Sequence, residues 1–330
     1  MHPNALISLI ESVAPLSLAA SWDHCGVQIA AHRDALKTVC VALDPTPDTV
    51  RRAVDMKADF LLCHHPVTLA PKLPGKLDGY HRILSLALTH DLWIYSAHTS
   101  LDANPDGPVN WLGRSLGLHG MRTLQVTSRQ SRTLVRLLDN NDIGKVSQSA
   151  PHARPDGDHA AEFLLWPEEL ALFRSDLGPQ TPRTEQPVTG ATRDFGFGCI
   201  GVLPQPLSWL QFTCLLREKL GASWRTIGPA PKTVRTVSYC PGSGADLGQT
   251  AFAGGADVYL TGDVKYHQAQ TLQDLGVTLD VGHFCLEEAM MRVWSRELAA
   301  ALAPQGVEVA FLPGHDPFDR YLPGNSPDQF

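Results

Sequence analysis

The sequence predicts an α/β fold of two similar halves with a small α+β module inserted between them, on three observations. Short apolar strand-like runs alternate with helix-like runs toward both ends of the chain, the grammar of sheets covered by helices. A pattern in the first half returns in the second. Thr38-Val39 opens a strand and twenty residues later comes Ala58-Asp59-Phe60-Leu61-Leu62; Thr236-Val237 opens a strand and twenty residues later comes Ala256-Asp257-Val258-Tyr259-Leu260. Between the halves the composition changes, with Pro, Gly, Ser, Thr and charge crowding residues 147–160 and 178–194, which read as loops.

The elements follow in order. Leu6, Ile7, Leu9, Ile10 and Val13 fall on one face of an amphipathic first helix. Residues 38–43 read as a strand and 48–57 as a helix, with Pro47 and Asp48 as its start signal. Residues 60–63 are a second, buried strand, 80–90 a helix and 92–95 a third strand. In the middle, 133–138 and 161–166 read as strands and 167–177 as a helix. From Thr233 the strand–helix alternation resumes, with a strand at 277–279 and a helix at 286–302. The division is a first repeat over 1–127, an inserted module over 128–194, and a second repeat over 195–330 ending in a Pro/Gly-rich tail after Phe318.

The bulk properties narrow the function. The 330 residues are 43% hydrophobic, enough for proper cores. A formal charge of −7 argues against bulk nucleic-acid binding, which needs a basic surface. Seven scattered cysteines with no C-x-x-C pair suit free thiols in a reducing cytoplasm and disfavour a thiolate zinc site. Glu11 interrupts the apolar start and no Lys or Arg precedes it, so a signal sequence is not expected. No run approaches the roughly 20 apolar residues of a membrane span.

The chemistry begins at His64-His65-Pro66, where two histidines close a buried strand. Pro66 biases His65 toward an extended backbone, in which adjacent side chains point to opposite faces. Each imidazole is then expected to serve one of two nearby ions. Alone, the pair reads more readily as locally hydrogen-bonded loop residues. His98 and Asp102, and likewise His283 and Glu287, stand four apart where a strand runs into a helix. Imidazole with carboxylate and without thiolate suits Zn, Mn, Fe, Co or Ni, and Glu287 or Asp102 has two oxygens with which to bridge two ions. Thr261-Gly262-Asp263-Val264-Lys265-Tyr266-His267 packs Asp, Lys and His behind another strand, placed either to orient a ligand or to grip an anionic substrate. Gly196-Phe197-Gly198-Cys199-Ile200-Gly201 fits G-x-G-x-x-G, but 189–194 make a poor strand before it and Pro204 and Pro206 interrupt any helix after it, so it is not a dinucleotide fingerprint and its glycines are expected in a tight turn.

Together these motifs resemble the Nif-three-like dinuclear metal-centre proteins, often labelled GTP cyclohydrolase I type 2 homologues. The resemblance is carried by Ser21-Trp22-Asp23-His24-Cys25-Gly26-Val27-Gln28, Cys63-His64-His65-Pro66, His98-Thr99-Ser100-Leu101-Asp102, residues 256–267, and Asp280-Val281-Gly282-His283 with Glu287. Gly196 to Gly201 and Asp316-Pro317-Phe318 add to it, over most of 1–125 and 195–318. His24 and Ser100 stand where the family often has Asn. The resemblance implies two interlinked α/β repeats with mixed sheets, and two divalent ions per chain, Zn, Fe or Mn. It places their ligands on His64, His65, Asp102, His283 and Glu287, with His98 as a supporting residue or further ligand. It also implies a homohexameric toroid. Asp263, Lys265 and His267 are read as orienting or substrate-contacting residues. The expected function is a metal-dependent hydrolase acting on a nucleotide-like small molecule, two ions about 3.5–4 Å apart acidifying water for attack on carbon or phosphorus. The competing expectation is a non-enzymatic metal-binding scaffold, carrier or regulatory partner.

Overall fold

The computed structural model describes residues 1–137, 162–177, 181–221 and 223–318. They form two compact units, one of residues 1–125 with those from 196 onward, the other of 126–195. The chain opens with α1 (Pro3–Val13), which buries Leu6 and Ile10, then β1 (Gly26–Ile29) and β2 (Thr38–Ala42). Next come α2 (Pro47–Asp55), capped by the Thr46 hydroxyl, and β3 (Phe60–Cys63). Then follow α3 (Gly79–Thr89), capped by Asp78, β4 (Trp93–Ser96), and the short α4 (Thr99–Asp102) and α5 (Trp111–Ser115).

Strands β2, β3 and β4 run parallel, with β1 antiparallel on one edge. The other edge is β12 (Glu308–Phe311), the last strand, which returns to pair parallel with β2. This return interlocks the halves. The sheet is buried on both faces, so its strands read as unbroken apolar runs. Val39, Val41, Phe60 and Leu62 enter one core, and the alternate residues Cys40, Ala42, Leu61 and Cys63 enter the other. Each large side chain so buried contributes about 1.5–3 kcal/mol.

The chain leaves through β5 (His119–Leu137) and comes back through β7 (Arg183–Ser208). Helix α7 (Trp209–Leu220), β8 (Arg225–Ile227), β9 (Thr233–Tyr239), α8 (Gly248–Ala253) and β10 (Val258–Thr261) follow. Helix α9 (Tyr266–Leu272), β11 (Val277–Asp280) and the long α10 (His283–Leu302) complete the second half. β9, β10 and β11 are parallel, with β8 antiparallel beyond β11 and β7 antiparallel beside β9. Both halves therefore carry three parallel strands and an antiparallel edge beside the third. The matched Ala-Asp pairs have one job. Asp59 Oδ2 accepts from the amides of Lys37 and Thr38 at 2.7 and 3.0 Å, and Asp257 Oδ2 from those of Arg235 and Thr236, both at 2.8 Å. Each ties the start of one strand to the start of the next.

Three expectations are corrected. Residues 183–194 are strand, not loop. Thr184, Gln186, Pro187 and Thr189 are exposed, so no apolar alternation marks a strand that its backbone ladder holds. The G-x-G-x-x-G run accordingly lies inside β7, and Pro204 and Pro206 lie in the same strand, beside a register irregularity between Val202 and Leu207. Finally, the two His-x-x-x-acid pairs are not equivalent. Ser96 pairs with Cys63 and Asp280 with Thr261, so His98 lies two residues past its strand-end reference and His283 three. The offset puts Gly282, at φ +82°, rather than His283 at the helix N-cap that His98 occupies in the first half.

In the smaller unit, β6 (Glu162–Leu165) pairs antiparallel with β5, and α6 (Pro167–Leu177) follows it. Val135, Leu137, Phe163, Leu165, Leu170, Phe173 and Leu177 form its core. The expected loop at 147–160 and the tail after Phe318 lie outside the described residues. Among the described residues no helix is long and apolar enough to cross a membrane.

Candidate metal centre

The parallel strands of both halves end toward one cluster. His64 and His65 follow β3, His98 caps and Asp102 ends α4 after β4, and His283 and Glu287 lie in the first turns of α10 after β11. Ligands in open α/β sheets collect at such strand ends. The His64 and His65 rings are not on opposite faces as an extended chain would place them. The strand stops at Cys63, the chain bends, and the ring centroids lie 4.9 Å apart. What separates the histidines is the direction of their nitrogens.

Each ring has one nitrogen already engaged. His64 Nδ1 donates to the Ala97 carbonyl at 3.0 Å. His65 Nδ1 lies 2.7 Å from Asp44 Oδ1, and His283 Nδ1 lies 2.8 Å from Asp263 Oδ2. A carbonyl or carboxylate at Nδ1 fixes one proton there, so that loss of the other gives Nε2 the lone pair, the arrangement common to metal-binding histidines. Those Nε2 atoms converge on Glu287. Its Oε1 lies 3.7 Å from His64 Nε2, and its Oε2 lies 3.2 Å from His65 Nε2 and 3.0 Å from His283 Nε2. Asp102 Oδ1 lies 3.7 Å from His64 Nε2. Glu287 thus turns one oxygen to each of two groups: His64 with Asp102, and His65 with His283.

This donor set suits cations. His64 Nε2, Asp102 Oδ1 and Glu287 Oε2 are buried atoms whose nearest polar neighbours are one another and the other imidazoles of the cluster. Each buried polar atom left unsatisfied costs about 1–3 kcal/mol, and three at one point are a standing demand for positive charge. Imidazole and carboxylate donors from His65, His283 and Glu287 lie within 4.8 Å of one another, as do those of His64, His65 and His98.

The protonation preferences express the same demand. Burial opposes charge on His65, but Asp44 and Glu287 beside it push it up to about 10. The Glu287 carboxylate holds His283 at about 9. His64 is raised despite full burial, by Asp102 and Glu287. Glu287 is held well below the usual carboxylate range against its burial by the surrounding histidines, whereas burial pushes Asp102 up.

Supporting residues the sequence reading missed complete the centre. Asp44 is the first polar residue after the apolar run of β2, which was its available signal. Gly242 is the other. A Cβ there, at φ +64°, would lie 2.3 Å from Glu287 Oε1, so only glycine leaves the carboxylate its place. Asp23 accepts from the Thr99 amide at 3.0 Å and hydroxyl at 2.5 Å and lies 3.1 Å from His98 Nδ1, steadying that ring. Lys265 and His267 are not brought to the cluster. Both are exposed on α9 and its N-cap, where Gln268 accepts from the Lys265 amide and His267 contacts Gln270. Asp263 does reach it, through His283.

The family model for Duf34/NIF3 (NGG1p interacting factor 3) matches residues 1–317. The chain belongs to this family. Among its relatives is a protein of Halalkalibacterium halodurans named GTP cyclohydrolase 1 type 2 homolog. That protein is 26% identical over 324 residues, 84% of this chain and 87% of the relative. The Bacillus subtilis protein of the same name is 25% identical over 341 residues, 89% and 91% of the two chains. The crystal structure of a Bacillus cereus protein related to NIF3 superposes with a TM-score of 0.84, at 24% identity, over 97% of this chain and 99% of that one. That likeness bears on the fold, which it shares with this Duf34/NIF3 member.

Proposed function

We propose that the chain binds two divalent metal ions and acts as a metal-dependent hydrolase on a nucleotide-like small molecule. The observation that carries it is the split presentation of Glu287, one oxygen toward His64 and the other toward His65 and His283. His64, Asp102 and Glu287 would hold one ion, and His65, His283 and Glu287 the other, with Zn, Fe or Mn suited to these donors. Bound there, such ions supply Lewis acidity, polarising a carbonyl or phosphoryl oxygen and acidifying water. The chain's own residues do the positioning. Asp44, Asp263 and the Ala97 carbonyl fix three imidazoles in the tautomer with a free Nε2, and Gly242 keeps Glu287 in reach of both groups. The shared name of the curated relatives supports hydrolytic chemistry on a nucleotide.

The test loads the purified protein with Zn, Mn or Fe, measures ions per chain, and screens nucleobases, nucleosides, nucleotides and phosphoesters beside His64→Ala and Glu287→Ala proteins. Two ions per chain and turnover that both substitutions abolish are expected. Fewer than one ion per chain, or no turnover above the substituted controls, defeats the proposal.

A further inference from the structure

The centre opens on one side into a cavity of about 790 Å³, within the range of small-molecule sites. Trp22 is 59% exposed there, on a loop that is pinned rather than loose. The Ala20 amide donates to Thr99 Oγ1 at 2.9 Å, and the Asp23 carboxylate binds the Thr99 amide and hydroxyl. The Trp22 ring stands edge-on to His98, centroids 5.9 Å apart. Phe197, Leu69 and Leu247 extend the apolar wall. A large rigid aromatic held open beside a polar centre is poised to receive a flat ring.

The polar groups of the wall point the same way. Gln125, Asp246 and Thr250 offer donors and acceptors of the kind that read ring amides. Among the described residues lining the cavity there is no Lys or Arg, and outside the cluster the one charged side chain is the carboxylate of Asp246. A polyphosphate carries several negative charges, and sites that bind one add Arg, Lys or ranked backbone amides to the metal ions that meet part of that charge. Here the wall beyond the cluster is mainly apolar and carries only the negative charge of Asp246.

We infer that the substrate is an uncharged heterocyclic amide, a nucleobase-like ring without a polyphosphate, seated against Trp22 with its polar edge toward the histidine cluster. This rests on the reading of that cluster as a metal centre and narrows its substrate class. The test is a series sharing one ring with increasing charge: hypoxanthine, inosine, inosine monophosphate and inosine triphosphate. Binding to the purified protein is measured by calorimetry, as isolated and after chelator treatment, with ions per chain determined on each sample. Hypoxanthine or inosine should bind at least tenfold more tightly than the triphosphate. Trp22→Ala should weaken ring binding about tenfold, as loss of one stacking partner does, while Trp22→Phe keeps most of it and neither changes metal content. Triphosphate binding as tight as the bare ring, no ring binding at all, or an unchanged Trp22→Ala affinity overturns the inference. Loss of the metal reading is separately visible as an ion content near zero, and the ring series on the stripped protein then still decides whether the wall selects neutral rings.

Discussion

The Nε2 atoms of His65 and His283 face each other at 3.3 Å, while Asp44 and Asp263 hold the far nitrogen of the same two rings. Glu287 Oε2 lies beside both nitrogens, so the positive charge this carboxylate needs comes from the ring protons until a metal ion takes their place. The two aspartates therefore orient the rings rather than merely decorate them. Asp44→Ala or Asp263→Ala should each weaken divalent-ion affinity about 10- to 100-fold, the usual effect of losing such a partner. Competition against a calibrated chelator measures it. Affinity unchanged in both proteins would mean that the rings are set by packing alone.

Metal uptake should expel protons. Before an ion binds, His65 sits at about 10 and His283 at about 9, so at pH 7.5 both rings are cationic. An ion needs the neutral lone pair, so each ring must lose its proton. Both values lie above the working pH, and affinity must therefore rise with pH up to about 9. Each displaced proton contributes about tenfold per pH unit. Calorimetric titration with Zn in buffers of different ionisation enthalpy reads the proton count directly. A pH-independent affinity between 6 and 8.5 would show that the rings are already neutral.

Gly242 predicts a sharp steric effect. Gly242→Ala places a methyl 2.3 Å from Glu287 Oε1 on a backbone at φ +64°. Strain of this kind costs about 1–3 kcal/mol if the fold absorbs it. Because Glu287 is the group common to both halves of the site, its displacement should remove both ions together rather than one. Metal analysis of the substituted protein distinguishes the cases, and full retention of both ions would show that Glu287 has room to yield.

Much of this architecture was legible because burial on both faces leaves a mark in sequence. β2 and β3 are unbroken apolar runs since Val41 and Ala42, though adjacent, enter different cores. The polar residues ending those runs, His64 and His65, stood out for the same reason. β7 did not, because its exposed Thr184, Gln186 and Thr189 carry no periodic signal and the ladder that holds them is backbone. The opposite-face argument for His64 and His65 failed because the chain bends at the strand end, a tertiary effect that Pro66 does not encode. Asp44 and Gly242 were invisible since their roles depend on contacts with His65 and Glu287, which lie 21 and 45 residues away in the chain. The equal spacing of the two His-x-x-x-acid pairs was a match in count but not in place, and only strand register separates the two.

Asp59 and Asp257 make the duplicated halves testable as structure, apart from the metal site. Each carboxylate gathers two backbone amides, but their surroundings differ. Asp59 is 5% exposed and also pairs with Arg33 at 2.5 Å, whereas Asp257 is half-buried. Charge-assisted bonds contribute about 1.5–3 kcal/mol, and water can replace more of the loss at the open site. Asp59→Ala should therefore destabilise by about 3 kcal/mol and Asp257→Ala by about 1–2 kcal/mol, in urea unfolding followed by circular dichroism. Ion content per folded chain should not change in either, because both aspartates lie at the strand starts and the cluster at the strand ends. Equal small losses below about 0.5 kcal/mol would mean that the strand ladders alone fix the starts and that the shared Asp serves no common purpose.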